Sequence, residues 1–251
     1  MSEGYWDIHN HILPGVDDGS SCMEETMLLL EEEYCQGVRR IVFTPHYRPG
    51  MFDVPADERE RAFADVCARF QADYPDMRFY LGCEMHVSRH LFEDLHDSRC
   101  RMGAGRTVLL EFDGDSSYKI MQSVVAHAVR MGCRPLLAHV ERYEAMYTDT
   151  ARRIRALQEA GAWIQINAGS VLGAGGRQEM RFCELLLIEA LVDVVASDAH
   201  NMTNRPILMQ DCARTVDQMC GPEAVEVLFK RNPSRLMRGA KHAKLPSLSY
   251  T

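Results

Sequence analysis

The chain has 251 residues, enough to bury a sizeable core without staples, and as a prior one large domain or two small ones. Its composition, 46% hydrophobic and 25% charged, is that of a soluble globular protein and excludes a disordered or fibrous chain. With 28 Lys plus Arg against 36 Asp plus Glu the formal charge is −8, which lacks the electrostatic footprint of a nucleic-acid binder.

Short runs rich in Val, Ile and Leu alternate with segments of helical period. In chain order, strands are expected at Tyr5–His9, Val38–Thr44, Arg78–Cys83, Thr107–Phe112, Pro135–His139, Trp163–Asn167 and Val192–Ser197. Helices are expected between them at Glu24–Cys35, Asp57–Tyr74, Tyr118–Met131, Thr150–Ala160, Glu179–Leu191 and Ile207–Cys220. Gly37, Gly132, Gly161 and Gly221 suit left-handed caps at the ends of four of these helices. The alternation predicts an α/β fold with a largely parallel sheet, closed into a barrel; an open doubly wound sheet is the alternative. No linker or repeat interrupts it, so residues 1–251 read as a single domain.

No apolar run approaches the ~18 residues of a membrane span, so no membrane insertion is expected. The start, Met1 to Asp7, has neither the basic nor the apolar region of a signal peptide. Nine cysteines without a Cys-x-x-Cys pair read as reduced thiols, and the protein is placed in the cytoplasm. The basic residues Lys230, Arg231, Arg235, Arg238, Lys241 and Lys244 read as a solvated tail. The sequence does not determine an oligomeric state.

The informative residues stand where strands run out into loops, the position at which parallel α/β barrels build their sites. Strand one ends in Asp7-Ile8-His9-Asn10-His11, strand two in Thr44-Pro45-His46-Tyr47 and strand three in Gly82-Cys83-Glu84. Glu111, His139 and the Asp198-Ala199-His200 triplet end three more. Residues two apart on a strand face the same way, so His9 with His11, and Asp198 with His200, point into one mouth. One such residue is ordinarily a satisfied polar group. A His or an acidic residue at six of seven strand ends points to metal ligation by imidazole and carboxylate.

The opening run Asp7-Ile8-His9-Asn10-His11-Ile12-Leu13-Pro14-Gly15-Val16-Asp17-Asp18-Gly19 resembles that of the PHP (polymerase and histidinol phosphatase) superfamily. More narrowly, it resembles the bacterial tyrosine-protein phosphatases of capsular and exopolysaccharide synthesis. Thr44-Pro45-His46-Tyr47, Leu110-Glu111-Phe112, Ala138 to Tyr143, Gln165 to Ser170, Ser197 to Asn201 and Asn204-Arg205-Pro206 follow in that family's order. The resemblance runs from about residue 7 to 206.

The resemblance implies a distorted (β/α)7 barrel of the PHP type, with three divalent metal ions at the C-terminal ends of the strands. Manganese is the expected metal, with Fe, Zn and Mg as alternatives. By motif, His9, His11, Glu84 and Asp198 hold the first ion. Glu84 bridges to a second, completed by Glu111 and His139, and Asp18, His46 and His200 hold the third. Asp17 is the structural neighbour in that assignment, and a swap with Asp18 stays open. Arg142 and Arg205 match the substrate-phosphate arginines; without the family, Arg142 reads equally as a salt-bridge partner of Glu141 or Glu144.

The implied reaction is hydrolysis of phosphotyrosine on the C-terminal tail of a bacterial tyrosine kinase that controls polysaccharide export, by metal-activated hydroxide. Paired metals neutralise a phosphate dianion and activate water, and guanidinium groups recognise the remaining oxygens in bidentate fashion. A tyrosyl leaving group, of pKa ~10, needs little protonation, and no general acid is assigned. The alternatives are another PHP phosphoesterase (histidinol phosphatase or nuclease type) and a non-catalytic regulatory module. A nucleic-acid partner is not expected.

Two signals point elsewhere. Cys100 to Arg106 spells the Cys-x5-Arg of thiol-based tyrosine phosphatases, and Cys83 with Arg89 repeats it. Such a loop must run from a strand into a helix N-terminus, whereas a strand is expected after Arg106. The glycine-rich stretch Gly169–Gly176 has no phosphate-loop spacing and reads as a flexible loop at the rim of the site. His86, His90, His96, His127 and His242 take no role, and the fifteen methionines read as core.

Overall fold

The computed structural model describes residues 4–239 apart from 53, 89 and 90, and of 92 and 93 the backbone alone. The chain runs through β1 (Tyr5–Asp7), α1 (Met23–Cys35), β2 (Val38–Phe43), β3 (His46–Tyr47) and α2 (Ala56–Phe70). Next come β4 (Arg78–Leu81), β5 (Glu84–His86), the one-turn α3 (Leu91–Asp94), β6 (Thr107–Glu111) and α4 (Tyr118–Arg130). β7 (Arg134–Leu137), α5 (Thr150–Glu159), β8 (Trp163–Asn167), the one-turn α6 (Ala168–Val171) and α7 (Arg177–Ile188) follow. β9 (Val194–Ala196), α8 (Met209–Cys220), α9 (Pro222–Glu226) and α10 (Asn232–Arg238) are the last.

All strand pairs in the two sheets are parallel, in the orders β1-β2-β4 and β3-β5-β6-β7-β8-β9. The two sheets exist because a second short strand, not expected from the sequence, follows the second and the third expected strands: β3 beyond Thr44 and β5 beyond Cys83. Pro45 offers no N–H to a ladder and interrupts β2 from β3; Gly82-Cys83 separates β4 from β5. Hydrogen bonds still cross both breaks, from Gly82 N to Phe43 O (2.9 Å) and from Glu84 N to Pro45 O (3.0 Å). At the far side His9 O accepts from Asp198 N (2.7 Å) and Ala199 O from His11 N (2.8 Å), so the two ends of the curled sheet meet. Of the expected caps, Gly37 adopts φ +89° just past Gln36, the residue that caps α1, a conformation that costs an L-residue energy and glycine none.

The strands bury both faces, which is why they read as continuous apolar runs. Val42, Leu109, Leu136, Ala138, Val194 and Ala196 join Trp6, Ile8 and Trp163 in one inner cluster. Their neighbours Ile41, Phe43, Val108, Leu110, Leu137 and Val195 belong to the larger layer between sheet and helices. The strand period of two thus sorts each run into two cores. Glu84 lies opposite Leu109 in the ladder, and Glu111 stands two residues beyond Leu109. The inner face therefore changes from apolar to acidic at the strand ends.

Two expectations are corrected. Lys230 to Arg238 are not a solvated tail: Lys230 pairs with Glu226 (2.8 Å) and Arg231 with Glu223 (2.7 Å). α10 buries Leu236 in the inner cluster, where its carbonyl accepts from Thr107 Oγ1 at 3.0 Å. An amphipathic turn hides beneath the basic residues, because lysine and arginine stems leave their charges at the surface. Nor is Gly169–Gly176 all loop, since α6 occupies its first three residues. Lys241, Lys244, His90, His242 and the Arg89 of the second Cys-x5-Arg match lie outside the described residues. Among the described residues no helix is long and apolar enough to cross a membrane.

Candidate metal centre

The structure brings all nine candidate ligands into one cluster at the strand ends. Glu84 lies at its middle. Its Oε1 is 3.2 Å from His9 Nε2 and 3.0 Å from His139 Nε2. Its Oε2 is 3.2 Å from His11 Nε2 and 3.1 Å from His46 Nδ1. Asp198 Oδ1 stands 3.5 Å from both His9 Nε2 and His11 Nε2. Glu111 approaches His46 Nδ1 at 3.8 Å and His139 Nε2 at 3.9 Å. Asp18 Oδ1 is 3.5 Å from both His46 Nε2 and His200 Nε2.

Outside the cluster, fixed hydrogen bonds orient the rings. His9 Nδ1 lies 3.1 Å from Gln165 Oε1, an atom that also accepts from the His139 backbone N–H (2.8 Å). An acceptor there requires the proton on Nδ1, which leaves the Nε2 lone pair facing Glu84 and Asp198. His200 Nδ1 faces the Asp198 carbonyl oxygen at 3.0 Å with the same consequence, and its Nε2 accepts from Arg205 Nη1 at 2.6 Å. His11 Nδ1 is held by Asp17 Oδ2 at 2.7 Å.

Asp17 and Asp18 are thereby distinguished. Both Asp17 oxygens are engaged, Oδ2 also by His46 N (2.9 Å) and Oδ1 by Gly19 N (3.0 Å), while Asp18 turns toward His46 and His200. This tight turn needs a glycine at its end. A Cβ at Gly19 would lie 1.7 Å from the His11 carbonyl oxygen.

The electrostatics call for a cation. Burial penalises every charge here, yet Glu84 and Asp198 outweigh it and raise His9. Asp17 does the same for His11. Burial and then the neighbouring Glu84 push Glu111 up to about 7. Asp198 Oδ1, Glu111 Oε2, His46 Nδ1 and His139 Nδ1 are buried without a hydrogen-bond partner among the described residues. Orphaned buried polar atoms are costly unless something else satisfies them. Imidazole and carboxylate oxygen are the donor set for Mn, Fe or Zn, so the residues fit divalent ions. Four overlapping groups converge within ligating distance: His11/Asp18/His46/His200, His9/His11/Glu84, His9/His139/Asp198 and His46/Glu84/Glu111. His139 thus stands with His9 and Asp198 as well as beside Glu111.

Backbone strain concentrates at the same place. Four non-glycine residues have positive φ among the described residues, and two of them are His139 (+28°) and Asp198 (+52°). Such conformations cost roughly 1–3 kcal/mol each and persist where the surroundings dictate them.

Arg142 does not pair with Glu141 or Glu144. Its Nη2 reaches Asp198 Oδ2 (3.0 Å), which also accepts from Arg205 Nη2 (2.5 Å) and Asn167 Nδ2 (2.7 Å). Both arginines line a cavity of about 250 Å3 beside the cluster. The sequence alone assigns no role to Gln165 or Asn167. Gln165 Nε2 donates to Asn167 Oδ1 at 2.7 Å, so the two amides join His9 to Asp198. The available signal was a pair of amides two apart in an otherwise apolar strand. His86 faces the Asp113 carboxylate (3.1 Å), and His96 is exposed. Cys100 ends a short 3-10 turn (Ser98–Cys100), is 1% exposed and leads into β6, with no helix N-terminus to stabilise a thiolate.

Fold and site together define a parallel α/β protein with a clustered His/carboxylate centre. Residues 5–238 match the family model for capsular polysaccharide synthesis, CpsB/CapC, and the chain belongs to that family. It is 32% identical to the tyrosine-protein phosphatase CpsB of Streptococcus pneumoniae, over 92% of this chain and 97% of that one. It is 30% identical to the tyrosine-protein phosphatase YwqE of Bacillus subtilis, over 92% and 91%. It also superposes at a TM-score of 0.86, with 26% identity and 96% and 97% coverage, on a structure from a study of YwqE and CpsB. That study describes them as unique metal-dependent tyrosine phosphatases. The histidinol phosphate phosphatase of Lactococcus lactis, at 0.58 and 16% identity over 89% of this chain and 94% of that one, shares the fold.

Proposed function

We propose that the chain is a metal-dependent protein-tyrosine phosphatase acting in capsule or exopolysaccharide synthesis. The observation that carries this is the convergence of nine imidazole and carboxylate ligands beside two arginines that line one cavity. His9, His11, Glu84 and Asp198 are assigned to one ion, Glu84, Glu111 and His139 to a second, and Asp18, His46 and His200 to a third. Asp18 is preferred over Asp17 because the Asp17 oxygens are already hydrogen-bonded. Manganese is the metal we assign. We read β2 with β3, and β4 with β5, as two interrupted strands, which makes seven barrel positions in a single domain over residues 1–251.

When bound, the ions supply Lewis-acid charge and activate water. The chain does the rest. Gln165, Asp17 and the Asp198 carbonyl hold three Nδ1 atoms, so the opposite nitrogens face inward without reorganisation. Arg142 and Arg205 bind phosphate oxygens, each offering five N–H donors in a planar fork. Their present partner, Asp198, is held well below the carboxylate range: burial would raise it, but His9 and the two guanidiniums overcome that. It stays an anion while the arginines recognise phosphate. Phenolate leaves without strong protonation, in keeping with the absence of an assigned acid. The physiological substrate we assign is the phosphotyrosine-bearing C-terminal tail of a bacterial tyrosine kinase, in the reducing cytoplasm that nine unpaired thiols suit.

The test compares the Mn²⁺-loaded protein on a phosphotyrosyl peptide, histidinol phosphate and an oligonucleotide. The peptide is expected to give a kcat/KM at least ~10-fold above either other substrate. A preference for histidinol phosphate or the oligonucleotide would reassign the protein within its superfamily, and no hydrolysis at all would leave a regulatory module.

A further inference from the structure

The phosphate arginines do not stand in an isolated hole. The cavity that they line shares Arg142, Gly175 and Glu179 with a second cavity of about 410 Å3. That one in turn shares Tyr147 and Gln178 with a third, of about 580 Å3, along the exposed side of α7. Sharing walls in this way, the three form a row of depressions, the groove, from Asp198 at the metal centre to Leu185.

Its outer end has an unusual surface. The Tyr147 and Phe182 rings stack at 4.2 Å and floor it, and Leu185 is 43% exposed beside them. Arg177 and Arg181, one helical turn apart, are exposed on the same stretch. Neither makes an ion pair or side-chain hydrogen bond among the described residues. Several other exposed arginines are paired, as Arg99 is with Asp97, Arg152 with Asp149, Arg214 with Asp211 and Arg231 with Glu223. On a chain of net charge −8, two free guanidiniums beside an apolar floor form a local site for an acidic, partly apolar ligand. Glu144 and Glu179 line the middle of the groove, between this patch and the phosphate arginines.

We propose that this groove docks the peptide flanking the phosphotyrosine, and selects a segment with an acidic residue opposite Arg177 and Arg181 and an apolar side chain opposite Leu185. The proposal rests on the phosphotyrosine reading above and adds what that reading lacks, a basis for choosing among phosphotyrosines. The spacing follows from geometry. Arg177 and Leu185 are eight residues apart on α7, about 12 Å at 1.5 Å per residue. An extended peptide covers that distance in about four residues. The apolar residue therefore lies about four positions beyond the acidic residue that faces Arg177. The peptide between the phosphotyrosine and that acidic residue passes Glu144 and Glu179 and is not acidic.

The test is binding, read by fluorescence anisotropy on the Mn²⁺-loaded protein. The probes are labelled peptides with a non-hydrolysable phosphonomethyl-phenylalanine. One pair carries the acidic–apolar segment before or after that residue, and a third peptide carries only Gly and Ser. The better-placed segment is expected to bind at least ~10-fold tighter than the Gly/Ser peptide, with the advantage lost in Arg177→Ala/Arg181→Ala and reduced in Leu185→Ser. On hydrolysable versions, the ratio of peptide to p-nitrophenyl phosphate kcat/KM should fall by a similar factor in the double variant. Equal wild-type affinity for all three peptides overturns the groove and leaves the phosphatase reading standing. No binding of any peptide overturns both. If Leu185→Asp changes the sedimentation of the protein and leaves peptide affinity unchanged, the face is a contact between copies of this chain, and the proposal fails.

Discussion

Asp17 Oδ2 sits 2.7 Å from His11 Nδ1, at the outer edge of the cluster and behind one of its central rings. Both side chains are buried, and the carboxylate also accepts from the His46 backbone N–H. One acidic residue therefore fixes the ring of one candidate ligand and the backbone of another. Carboxylates in this position orient imidazoles and raise their basicity. Asp17→Ala is expected to lower metal affinity by ~10- to 100-fold while leaving the circular dichroism spectrum intact. Competition with a chelator measures it, and an unchanged affinity would reduce Asp17 to a turn residue.

The arginine pair makes a separable prediction. Arg142→Lys keeps the charge and loses the fork, so kcat/KM on a phosphotyrosyl peptide should fall at least ~10-fold, about 1.4 kcal/mol, at constant metal content. Reduced metal content with unchanged turnover per bound ion would instead make Arg142 a support for Asp198, the residue it touches.

A buried acid outside the centre predicts a pH effect. Glu33 lies on the core face of α1 with Thr26, Leu29 and Leu30, is 0% exposed, and faces the Asp7 carboxylate. Burial, and then the neighbouring Asp7 carboxylate, raise it well above the usual range. The folded state thus holds a proton that the unfolded chain releases near pH ~4.3. Stability is lost as pH rises from there toward the folded value, by up to about 1.4 kcal/mol per pH unit. Glu33→Gln removes this dependence. Its stability relative to wild type should climb with pH between about 5 and 7 in denaturant melts, and a constant difference would refute the titration.

Much of this was legible in the sequence because strand ends are where local pattern and chemistry coincide. An apolar run that stops in His, Asp or Glu, repeated from His9 to Asp198, marks both the sheet and the mouth of the site. What was hidden depends on contacts distant in sequence. The break at Pro45 splits a ladder in two, and only the partner strand shows that hydrogen bonding continues across it. Gln165 and Asn167 acquire roles only from His9 and Asp198, 156 and 31 residues away. The C-terminal basic stretch hid Leu236, an inner-core residue, beneath its charges. The choice between Asp17 and Asp18 likewise needed the turn at Gly19, which aims adjacent carboxylates in different directions.

The most direct measurement is a titration of metal-stripped protein with Mn²⁺, following bound metal and phosphotyrosyl-peptide hydrolysis together. Metal-free protein should be inactive, and turnover should rise in step with bound metal. Glu84→Ala, lacking the carboxylate at the middle of the cluster, should bind less metal and recover little or no activity. Turnover by the fully stripped protein equal to that of the loaded one would contradict a metal centre as the seat of the chemistry.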